Sequence, residues 1–564
     1  MYTVYNIHLK QQYCNFSLSK TASIAGVQQV YDKLIFAKEL LAYYINNNNT
    51  VYIPSCEEPM DIKKFYGKLT AFANTPRYVF LLALAIAALC TVFYTIFLTD
   101  VYRDTTHVYA PYVREFARGN WAEGIAIQVP MLNITLAGFF AFLGLEPVKA
   151  LTLVAGVFYL AACFPLRSLL ERYVSPLAAA WGCVLYACAP KMIRFACAPL
   201  LESSRIFFLL AAVLFFLRTT ENPKWKNALL FGVSAGLMTV SRGEGMVLSS
   251  ALLLGLPIYA GLFCRPAAWG KVLAAWGIAI VCTIAAISPF CAMNYSRSGY
   301  FVPDIRAVQV VMTARKAMQK NDPGARKAQQ ALAKVGSKTM SRSEKTYHNF
   351  SSFIRGGYEL YWLLAIAGAV VIIRRKQLKA DYLLLLGTAL LHFIFYMLTI
   401  SAYRYYLFLI PLFMVFTVTG AVFLKDLAVK FLPYKVQLLC IATCVALGIG
   451  QTANGISRAF SSKGKDHIKV GKWIEQYNKK HFPDRKLKLY SPSMSEVAYW
   501  SKADLTDGFG DVPHDPATFK DFDLAVVHRK KSKGLEKRTD LERIPNTPHS
   551  KNIWIFKVKK QENK

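Results

Sequence analysis

Long apolar runs, separated by short connectors rich in Lys and Arg, follow one another along most of this chain. Runs of this kind are typical of helices that cross a lipid bilayer. Eleven of them are interpreted as membrane spans, and they are Tyr78–Thr99, Val148–Pro165, Pro176–Ile193, Arg205–Leu217, Asn227–Val240, Met246–Phe263, Val272–Met293, Tyr358–Ile373, Asp381–Ile400, Tyr405–Leu424 and Val436–Ile456. Several are shorter than the ~20 residues that a span usually needs, so their bounds are soft.

A twelfth run, Pro130–Leu145, is short and carries Pro130 and Gly144 at its ends. It is either a half-helix or a further span, and the sequence leaves both interpretations open. The pattern predicts an all-α polytopic membrane protein with roughly 11–12 transmembrane helices.

After Ile456 the composition changes to that of a water-soluble segment. A helix-like stretch, Ile468–Lys480, is followed by strand-like stretches at Lys486–Tyr490, Asp523–His528 and Asn552–Val558. A helix followed by short strands predicts a small α/β domain. Its expected role is to recognise the acceptor or to stabilise the loops beside it.

Three regions follow from these patterns: residues 1–77, a transmembrane domain over residues 78–456 and an α/β domain over residues 457–564. The first region has no apolar core near its start, so it is unlike a signal peptide. It contains an amphipathic stretch, Val27–Ile45, and we expect it to be cytoplasmic.

Composition agrees with a multi-pass membrane protein, since 54% of the residues are hydrophobic and the mean hydropathy is +0.29. The formal net charge of +33 would also suit a protein that binds nucleic acid. The basic residues, however, recur between apolar runs, where membrane topology and anionic lipids account for them. We therefore predict the lipid bilayer as a partner and no nucleic acid.

The basic connectors also predict an orientation. If Pro130–Leu145 does not cross, the connectors that fall on one side contain Arg167, Arg172, Arg218, Lys224, Lys226, Arg265, Lys271, Arg374, Arg375, Lys376, Lys425 and Lys430. Positive residues concentrate on the cytoplasmic side of membrane proteins. The α/β domain and the external loops, residues 100–129 and 294–357, are then extracytoplasmic.

Isolated polar groups share the opposite, external side. They are Asp104, Glu202, the turn Ser241–Gly245, Asn294–Tyr300 and Arg404. Charges at the mouth of a membrane helix are costly, so Asp104 is a functional candidate. An arrangement of this kind is what an extracytoplasmic active site at the bilayer edge requires.

The external loop between Met293 and Tyr358 is strongly basic. Its cations include Arg306, Arg315, Lys316, Lys320, Arg326, Lys327, Lys334, Lys338, Arg342 and Lys345. Two interpretations stay open: a mobile lid that captures a phosphate-bearing lipid, and a generic basic helix on the membrane surface.

At this point the chain resembles a known family. Asp104 after the first span, followed by an aromatic and Ala-rich stretch that ends in Gly119-Asn120-Trp121, is similar to the first external loop of GT-C membrane glycosyltransferases. The nearest group is that of the protein O-mannosyltransferases and aminoarabinose lipid A transferases. Four further stretches agree in order, namely Ala198–Phe208, Leu237–Gly245, Met293–Pro303 and Tyr403–Pro411.

The resemblance implies transfer of a sugar from a polyprenyl-phosphate carrier to a lipid, glycan or protein acceptor on the external side, usually with inversion. Asp104 is then the candidate general base for the acceptor hydroxyl. Arg404 is expected to bind the departing phosphate, since guanidinium offers bidentate bonds to phosphate oxygens. Tyr405 beside it is alternatively an interfacial anchor. The cell (inner or plasma) membrane is the expected location.

The sequence contains further candidate site residues. Arg242 is a second candidate for phosphate binding, although Arg242 and Glu244 also suit a structural ion pair. Glu202 orients the substrate or, since it precedes an apolar helix, stabilises that helix end. The remaining predicted substrate-binding residues are His107, Asn294 and Tyr295.

The chain departs from the family after Trp121. The Glu-Lys-Pro-Pro-like motif of many relatives is absent, and Glu123 and Gln128-Val129-Pro130 stand there instead. Thr105 replaces the second acid of the common Asp-Glu pair. We assign no metal ligand and no certain cofactor, and a divalent metal stays possible.

Two rival hypotheses come from other classes. A polytopic transporter or lipid-carrier flippase predicts internal repeats and charges near the bilayer midplane. The chain shows no repeat, and its charges lie at helix ends. A non-catalytic membrane anchor, in which the motifs have decayed, would account for the missing second acid.

Overall fold

The structure, a computed structural model, divides into two compact units, Met1–Thr75 and Pro76–Lys564. It describes residues 50–51, 60–61, 71–98, 101–102, 104–124, 131–264, 269–303, 342–356, 359–376, 379–397, 403–457, 459, 462–483, 485, 487–491, 495–502, 504–505, 522–529, 535–545 and 553–559. In the first unit, β1 (Thr50–Val51) pairs antiparallel with β2 (Met60–Asp61). The predicted amphipathic stretch Val27–Ile45 lies outside the described residues.

The second unit begins with a series of helices. They are α1 (Pro76–Phe97), α2 (Ala110–Ala117), α3 (Trp121–Gly124), α4 (Leu132–Phe142), α5 (Pro147–Ala161), α6 (Cys163–Leu170), α7 (Pro176–Cys188), α8 (Pro190–Ala196), α9 (Glu202–Glu221), α10 (Trp225–Ser241), α11 (Glu244–Tyr259), α12 (Trp269–Ser298), α13 (Arg342–Gly356), α14 (Glu359–Arg374), α15 (Ala380–Met397), α16 (Leu409–Leu412), α17 (Met414–Phe431) and α18 (Tyr434–Ser457). Each of the eleven predicted spans falls on one of these helices or on adjacent helices, which confirms the predicted fold class.

Several of these helices are long and apolar enough to cross a membrane. Among the described residues, five qualify alone by length and composition: Pro76–Phe97, Pro147–Leu170, Glu202–Glu221, Glu244–Phe263 and Trp269–Ser296. Three bent helix pairs raise the number to 8 if each pair forms one span. The chain is a multi-pass membrane protein.

The predicted run Pro176–Ile193 is not one straight helix. It is broken between α7 and α8, whose axes bend by 62°. Ala189 adopts an extended backbone (ψ 117°), and Pro190 begins the next helix. Proline disfavours the helical region for the residue before it and has no N–H to donate, so it fits at the start of a helix and not inside one.

In its described residues, 131–145, the ambiguous run Pro130–Leu145 contains one short helix, α4, of 11 residues. At ~1.5 Å per residue, this helix extends over about half of a hydrocarbon core. Its buried Asn133 donates from Nδ2 to the Leu200 carbonyl oxygen at 3.3 Å, just before α9 begins. The half-helix therefore supports the segment that leads into α9.

The C-terminal α/β domain contains α19 (Ser462–His481), α20 (Ser495–Ser501) and a mixed sheet. The strands are β3 (Lys488–Tyr490), β4 (Asp504–Leu505), β5 (Leu524–His528), β6 (Leu541–Arg543) and β7 (Ile553–Val558). Their order is β4-β3-β5-β7-β6, with β3 parallel to β4 and β5, and β7 antiparallel to β5 and β6. Apolar side chains of α19, such as Ile474, pack against Leu489, Val526 and Ile555 of the sheet.

A polar network lies at one end of the helix bundle. We call it the Asp381 cluster, and it is formed by Arg172, Tyr173, Glu221, Tyr259 and Asp381. Arg172 donates to both oxygens of Glu221, at 3.0 Å for Oε2, and to Asp381 Oδ2 at 3.0 Å. Asp381 also accepts from the Tyr173 hydroxyl at 3.1 Å and the Tyr259 hydroxyl at 2.8 Å. The network joins the last residues of α9 and α11 to the start of α15.

Candidate functional site

Asp104 and Arg404 form an ion pair across 300 residues of sequence. Asp104 begins a helical segment that continues through the π-helix Thr105–Tyr109 into α2. The Thr105 hydroxyl donates to the Pro199 carbonyl oxygen at 2.8 Å and fixes this segment beside the start of α9. Arg404 lies on a 3₁₀ turn, Tyr403–Tyr406, and its Nη2 donates to Asp104 Oδ2. The pair thus brings the helical segment that begins at Asp104 to the turn that precedes α16.

A second set of charges meets this pair. Arg242, between α10 and α11, donates from Nη1 to Glu202 Oε1 at 2.8 Å and from Nε to both oxygens of Glu244 at 2.9 Å. The same Glu202 Oε1 lies 3.8 Å from Arg404 Nε. Asp104, Glu202, Arg242, Glu244 and Arg404 therefore form one network, which we call the Glu202 cluster.

The turn that carries Arg242 and Glu244 depends on a glycine. A Cβ atom at Gly245 would lie 2.1 Å from the Met238 carbonyl oxygen, so a side chain there would force the start of α11 away from α10. Only glycine allows the two helices to approach this closely.

The ring of Tyr405 contacts both arginines of the Glu202 cluster. Its ring lies 4.3 Å from the Arg242 Cζ atom and 5.2 Å from the Arg404 Cζ atom, at cation–π distances. The Tyr405 carbonyl oxygen accepts from Nη2 of the fully buried Arg205 at 2.7 Å. Arg205 Nη1 lies 3.5 Å from Nε2 of His392, which is also buried. Arg205 and His392 thus fix the turn that presents Arg404.

The charges of the Glu202 cluster are balanced when Arg205 is included, with three carboxylates facing three guanidinium groups. Burial alone would lower the pKa of Arg242, but the carboxylates of Glu244 and Glu202 raise it well above its ordinary value. Arg242 is therefore a permanent cation that neutralises both acids. The pKa of Tyr109, whose ring packs nearby, is raised mainly by burial, so its hydroxyl keeps its proton.

Glu202 is incompletely satisfied. Its side chain is 1% exposed, and its Oε2 atom has no hydrogen-bond partner among the described residues. An ionised carboxylate oxygen only accepts hydrogen bonds, and leaving it buried without a donor is costly. The site therefore has an unused acceptor beside two arginines, and a hydroxyl or amino group of a ligand would satisfy it.

Asp104 differs from the other acids because 42% of its side chain is exposed. Among the candidate acids in this cluster, Glu202 and Glu244 are 1% and 12% exposed. Asp104 is thus the carboxylate that an incoming ligand reaches most easily. Arg404 binds the Oδ2 atom of this carboxylate.

The other predicted site residues have different surroundings. Asn294 is buried near the end of α12 and donates from Nδ2 to the Val302 carbonyl oxygen at 2.8 Å, which stabilises its own turn. The Tyr295 side chain is 58% exposed. The His107 side chain lies outside the described part of the structure, as does most of the basic loop between Met293 and Tyr358.

The described donors of the Glu202 cluster do not form a metal site. Within the described residues, no three His, Cys, Asp or Glu side chains are arranged to hold one. The three carboxylates of the Glu202 cluster face arginines instead. The chemistry proposed below uses no metal ion.

Two site residues, Arg205 and His392, were missed from the sequence. His392 lies inside the apolar run Asp381–Ile400, and Arg205 is the first residue of the run Arg205–Leu217. An ionisable side chain in such a run is expensive and marks a functional or bundle-facing position by default. That signal was present in the sequence. It did not reveal their partner, the Tyr405 carbonyl oxygen, which lies 200 residues from Arg205.

The fold is GT-C-like, as the sequence resemblance predicted. No protein-family model and no curated protein sequence matches this chain.

Several solved structures are similar to this chain. ArnT from Cupriavidus metallidurans bound to undecaprenyl phosphate is similar with a TM-score of 0.59 and 14% sequence identity, over 84% of this chain and 97% of that chain. The apo state of the same protein gives a TM-score of 0.57 at 14% identity, with the same coverage. An oligosaccharyltransferase from Archaeoglobus fulgidus, complexed with Zn and sulfate, gives 0.45 at 12% identity over 79% of this chain and 68% of that chain. The similarity to ArnT, at this level of identity, defines the fold alone.

Proposed function

We propose that this protein is an integral membrane glycosyltransferase that moves a sugar from a polyprenyl-phosphate-linked donor to an acceptor hydroxyl on the extracytoplasmic side, with Asp104 as general base. The observation that carries the proposal is the Glu202 cluster, which unites residues from four separate segments at one end of the bundle. The similar ArnT structure, which is bound to undecaprenyl phosphate, supports the class of donor.

The chemistry is a single displacement. The acceptor oxygen forms a bond to the anomeric carbon while the bond from that carbon to the phosphate oxygen breaks. The acceptor proton moves to Asp104, and the bonding electrons leave with the polyprenyl phosphate. Attack opposite the leaving group inverts the anomeric centre.

Arg404 has two partners in this scheme. Without donor its Nη2 binds Asp104 Oδ2. A donor phosphate competes for the same guanidinium group, since phosphate oxygens are strong partners for arginine. Binding of the donor then frees Asp104 to accept a proton and stabilises the negative charge that develops on the leaving phosphate. The base becomes available only when the donor is present.

Arg242 and Glu202 have supporting parts in the proposal. Arg242 lies close enough to Arg404 to share a carboxylate with it, so both cations face the same region. The unused Oε2 atom of Glu202 accepts a hydrogen bond from a sugar or acceptor hydroxyl. This contact would orient the substrate without taking its proton.

The orientation of the site is part of the same proposal. Basic connectors fall on the side opposite to the Glu202 cluster, and positive residues favour the cytoplasm. The Glu202 cluster and the α/β domain are therefore assigned to the extracytoplasmic side of the cell (inner or plasma) membrane.

The test is transfer by purified protein in liposomes. Radiolabelled polyprenyl-phosphate sugars are supplied as a panel, with membrane lipids, glycans and peptides as acceptors. Wild type is compared with Asp104→Asn, Arg404→Ala and a control, Asp426→Asn, whose side chain is 57% exposed on α17. We expect transfer by the wild type and the control and almost none by the two site variants.

Two results would count against the proposal. Asp104→Asn that transfers sugar at the wild-type rate removes Asp104 as base. A wild type that transfers no sugar from any donor, while ArnT transfers in the same liposomes, removes the glycosyltransferase function and favours carrier transport.

A further inference from the structure

The C-terminal α/β domain contacts the helical segment that carries Asp104. Helix α20 of that domain packs against the π-helix Thr105–Tyr109. Helix α20 is itself held closely against α19, since a Cβ atom at Gly471 would lie 2.5 Å from the Trp500 Cβ atom. The domain is therefore attached to the first external loop through a tightly packed helix.

Tyr499 of α20 makes a polar contact with the membrane domain. Its side chain is buried, at 6% exposure, between two groups of the membrane domain. The Arg114 Cζ atom lies 4.7 Å from the Tyr499 ring centroid. The Tyr499 hydroxyl donates to Glu146 Oε1. One aromatic side chain thus joins α2 to the segment that precedes α5.

Glu146, the partner of the Tyr499 hydroxyl, is itself held in place by the backbone of α5. Its other oxygen, Oε2, accepts from the Lys149 backbone N–H at 3.0 Å and so caps the first turn of α5. Because both carboxylate oxygens are used, the Tyr499 hydroxyl is held at a defined point on the membrane domain. The pKa of Tyr499 is raised, first by burial and then by Glu146, so the hydroxyl keeps the proton that it donates.

Arg114 links the Tyr499 contact to Asp104, because both residues lie on the same helical segment. It lies ten residues after Asp104 on one uninterrupted helical segment, or about 15 Å at the helical rise. Arg404 holds the Asp104 end of this segment, and Tyr499 holds the other end. A helical segment fixed at both ends keeps a constant rotation, and rotation decides where the Asp104 carboxylate points.

We infer that Tyr499 is a positioning residue, which clamps Arg114 beside Glu146 so that the C-terminal domain sets the orientation of Asp104 in the site. This inference rests on the proposed function for its catalytic consequence, but the clamp itself does not. Misplacement of a catalytic group by about 1 Å costs on the order of 100-fold in rate. The domain is thus a part of the active-site scaffold.

The experiment uses the full chain in liposomes and two readouts. Tyr499→Leu removes the ring and the hydroxyl, Tyr499→Phe removes the hydroxyl alone, and Tyr477→Phe on α19 is the matched control. We expect kcat for sugar transfer to fall about 10-fold in Tyr499→Leu and about 3-fold in Tyr499→Phe, with KM for the donor unchanged. The control keeps the wild-type kcat.

Hydrogen exchange provides the readout that is independent of sugar transfer. Peptides that cover residues 104–117 should exchange faster in Tyr499→Leu, while peptides of β5 and β7 stay protected. If the β5 and β7 peptides lose protection, the domain has unfolded, and Tyr499→Phe and Glu146→Gln then decide the question.

Unchanged exchange over residues 104–117 in a variant with a folded domain overturns the inference. So does a fall in kcat that the Tyr477→Phe control shares. If the wild type transfers no sugar, the proposed function fails, whereas the exchange experiment still decides whether the clamp exists.

Discussion

The Glu202 cluster and the Asp381 cluster lie at opposite ends of the same two helices. Helix α9 begins with Glu202 and ends with Glu221, and α11 begins with Glu244 and ends with Tyr259. A helix of 20 residues such as α9 is about 30 Å long, which matches the thickness of a hydrocarbon core. The two clusters therefore lie near opposite surfaces of the membrane.

The two clusters differ in how completely their carboxylates are satisfied. In the Asp381 cluster, all four carboxylate oxygens of Glu221 and Asp381 accept hydrogen bonds from Arg172 or from tyrosine hydroxyls. In the Glu202 cluster, Glu202 Oε2 has no partner among the described residues, and Asp104 is partly exposed. A network with every oxygen satisfied holds helices together, whereas one with an open acceptor and an accessible acid is suited to a ligand.

The largest effect should come from Asp104→Asn. Asparagine keeps the size of the side chain but accepts no proton, so we expect sugar transfer to fall by about 1000-fold, or about 4 kcal/mol in the activation free energy. The thermal midpoint should stay close to that of wild type. Initial rates in liposomes and a thermal unfolding curve measure both quantities. Loss of stability to the same degree as in Asp381→Ala would remove the distinction between the two clusters.

Asp381→Ala should have the opposite effect: it lowers the stability of the fold and leaves sugar transfer almost unchanged. Asp381→Ala removes the acceptor of one Arg172 hydrogen bond and of two tyrosine hydroxyls, so we expect a loss of about 3 kcal/mol in the free energy of unfolding. This value is at the low end for a buried ion pair because Arg172 keeps Glu221 as a partner. Transfer per folded molecule should change by less than about twofold. A loss of transfer in molecules that remain folded would mean that the Asp381 cluster also acts on the reaction.

A smaller effect is expected for Arg404→Lys. Lysine keeps the charge but lacks the planar guanidinium group that binds two oxygens, so transfer should fall by about 30-fold. Donor competition with Asp104 predicts that KM for the donor rises as well. The exposed Arg375→Lys is the control, and steady-state kinetics over a range of donor concentrations provides the measurement. An unchanged KM would argue against phosphate binding by Arg404.

The smallest effect is expected for Tyr259→Phe, which removes one hydrogen bond to Asp381 Oδ1. A single hydrogen bond to a charged group contributes about 1.5–3 kcal/mol. We expect a loss of about 1.5 kcal/mol, because Asp381 keeps Arg172 and Tyr173 as donors, and transfer should be unaffected. In a double-mutant cycle, Tyr259→Phe should cost less when Asp381 is already alanine. Additive losses would show that the hydroxyl stabilises the fold through another partner.

Much of the fold was predictable because the bilayer leaves few alternatives. Apolar runs must become helices there, since only a helix satisfies its own backbone hydrogen bonds in lipid. The strands Lys488–Tyr490, Leu524–His528 and Ile553–Val558 also fall within the three stretches that were predicted to be strands. The break at Ala189 was missed because hydropathy alone does not separate a proline at the start of a helix from one inside a span.

The candidate site was predictable only in part. Asp104, Glu202, Arg242, Glu244 and Arg404 were chosen from the sequence because each is a charge at a helix end on one side, and the structure brings these five together. Their assigned roles remain predictions. Asn294 closes a turn, and Tyr295 is exposed, because a polar residue at a helix end has many possible partners and the sequence names none of them.

The sequence by itself determined the class of the molecule: apolar runs that become membrane helices, a soluble α/β segment after them, and charges that the bilayer confines to the helix ends. Only the tertiary structure decided which of those charges meet. The pairing of Arg404 with Asp104, the support of its turn by Arg205 and the clamp at Tyr499 all join residues far apart in the chain. A hydrophobic pattern specifies depth in the membrane for each helix, but packing specifies which helices are neighbours and how each is rotated. Ion pairs depend on neighbours and rotation, and so they appear only once the helices have packed.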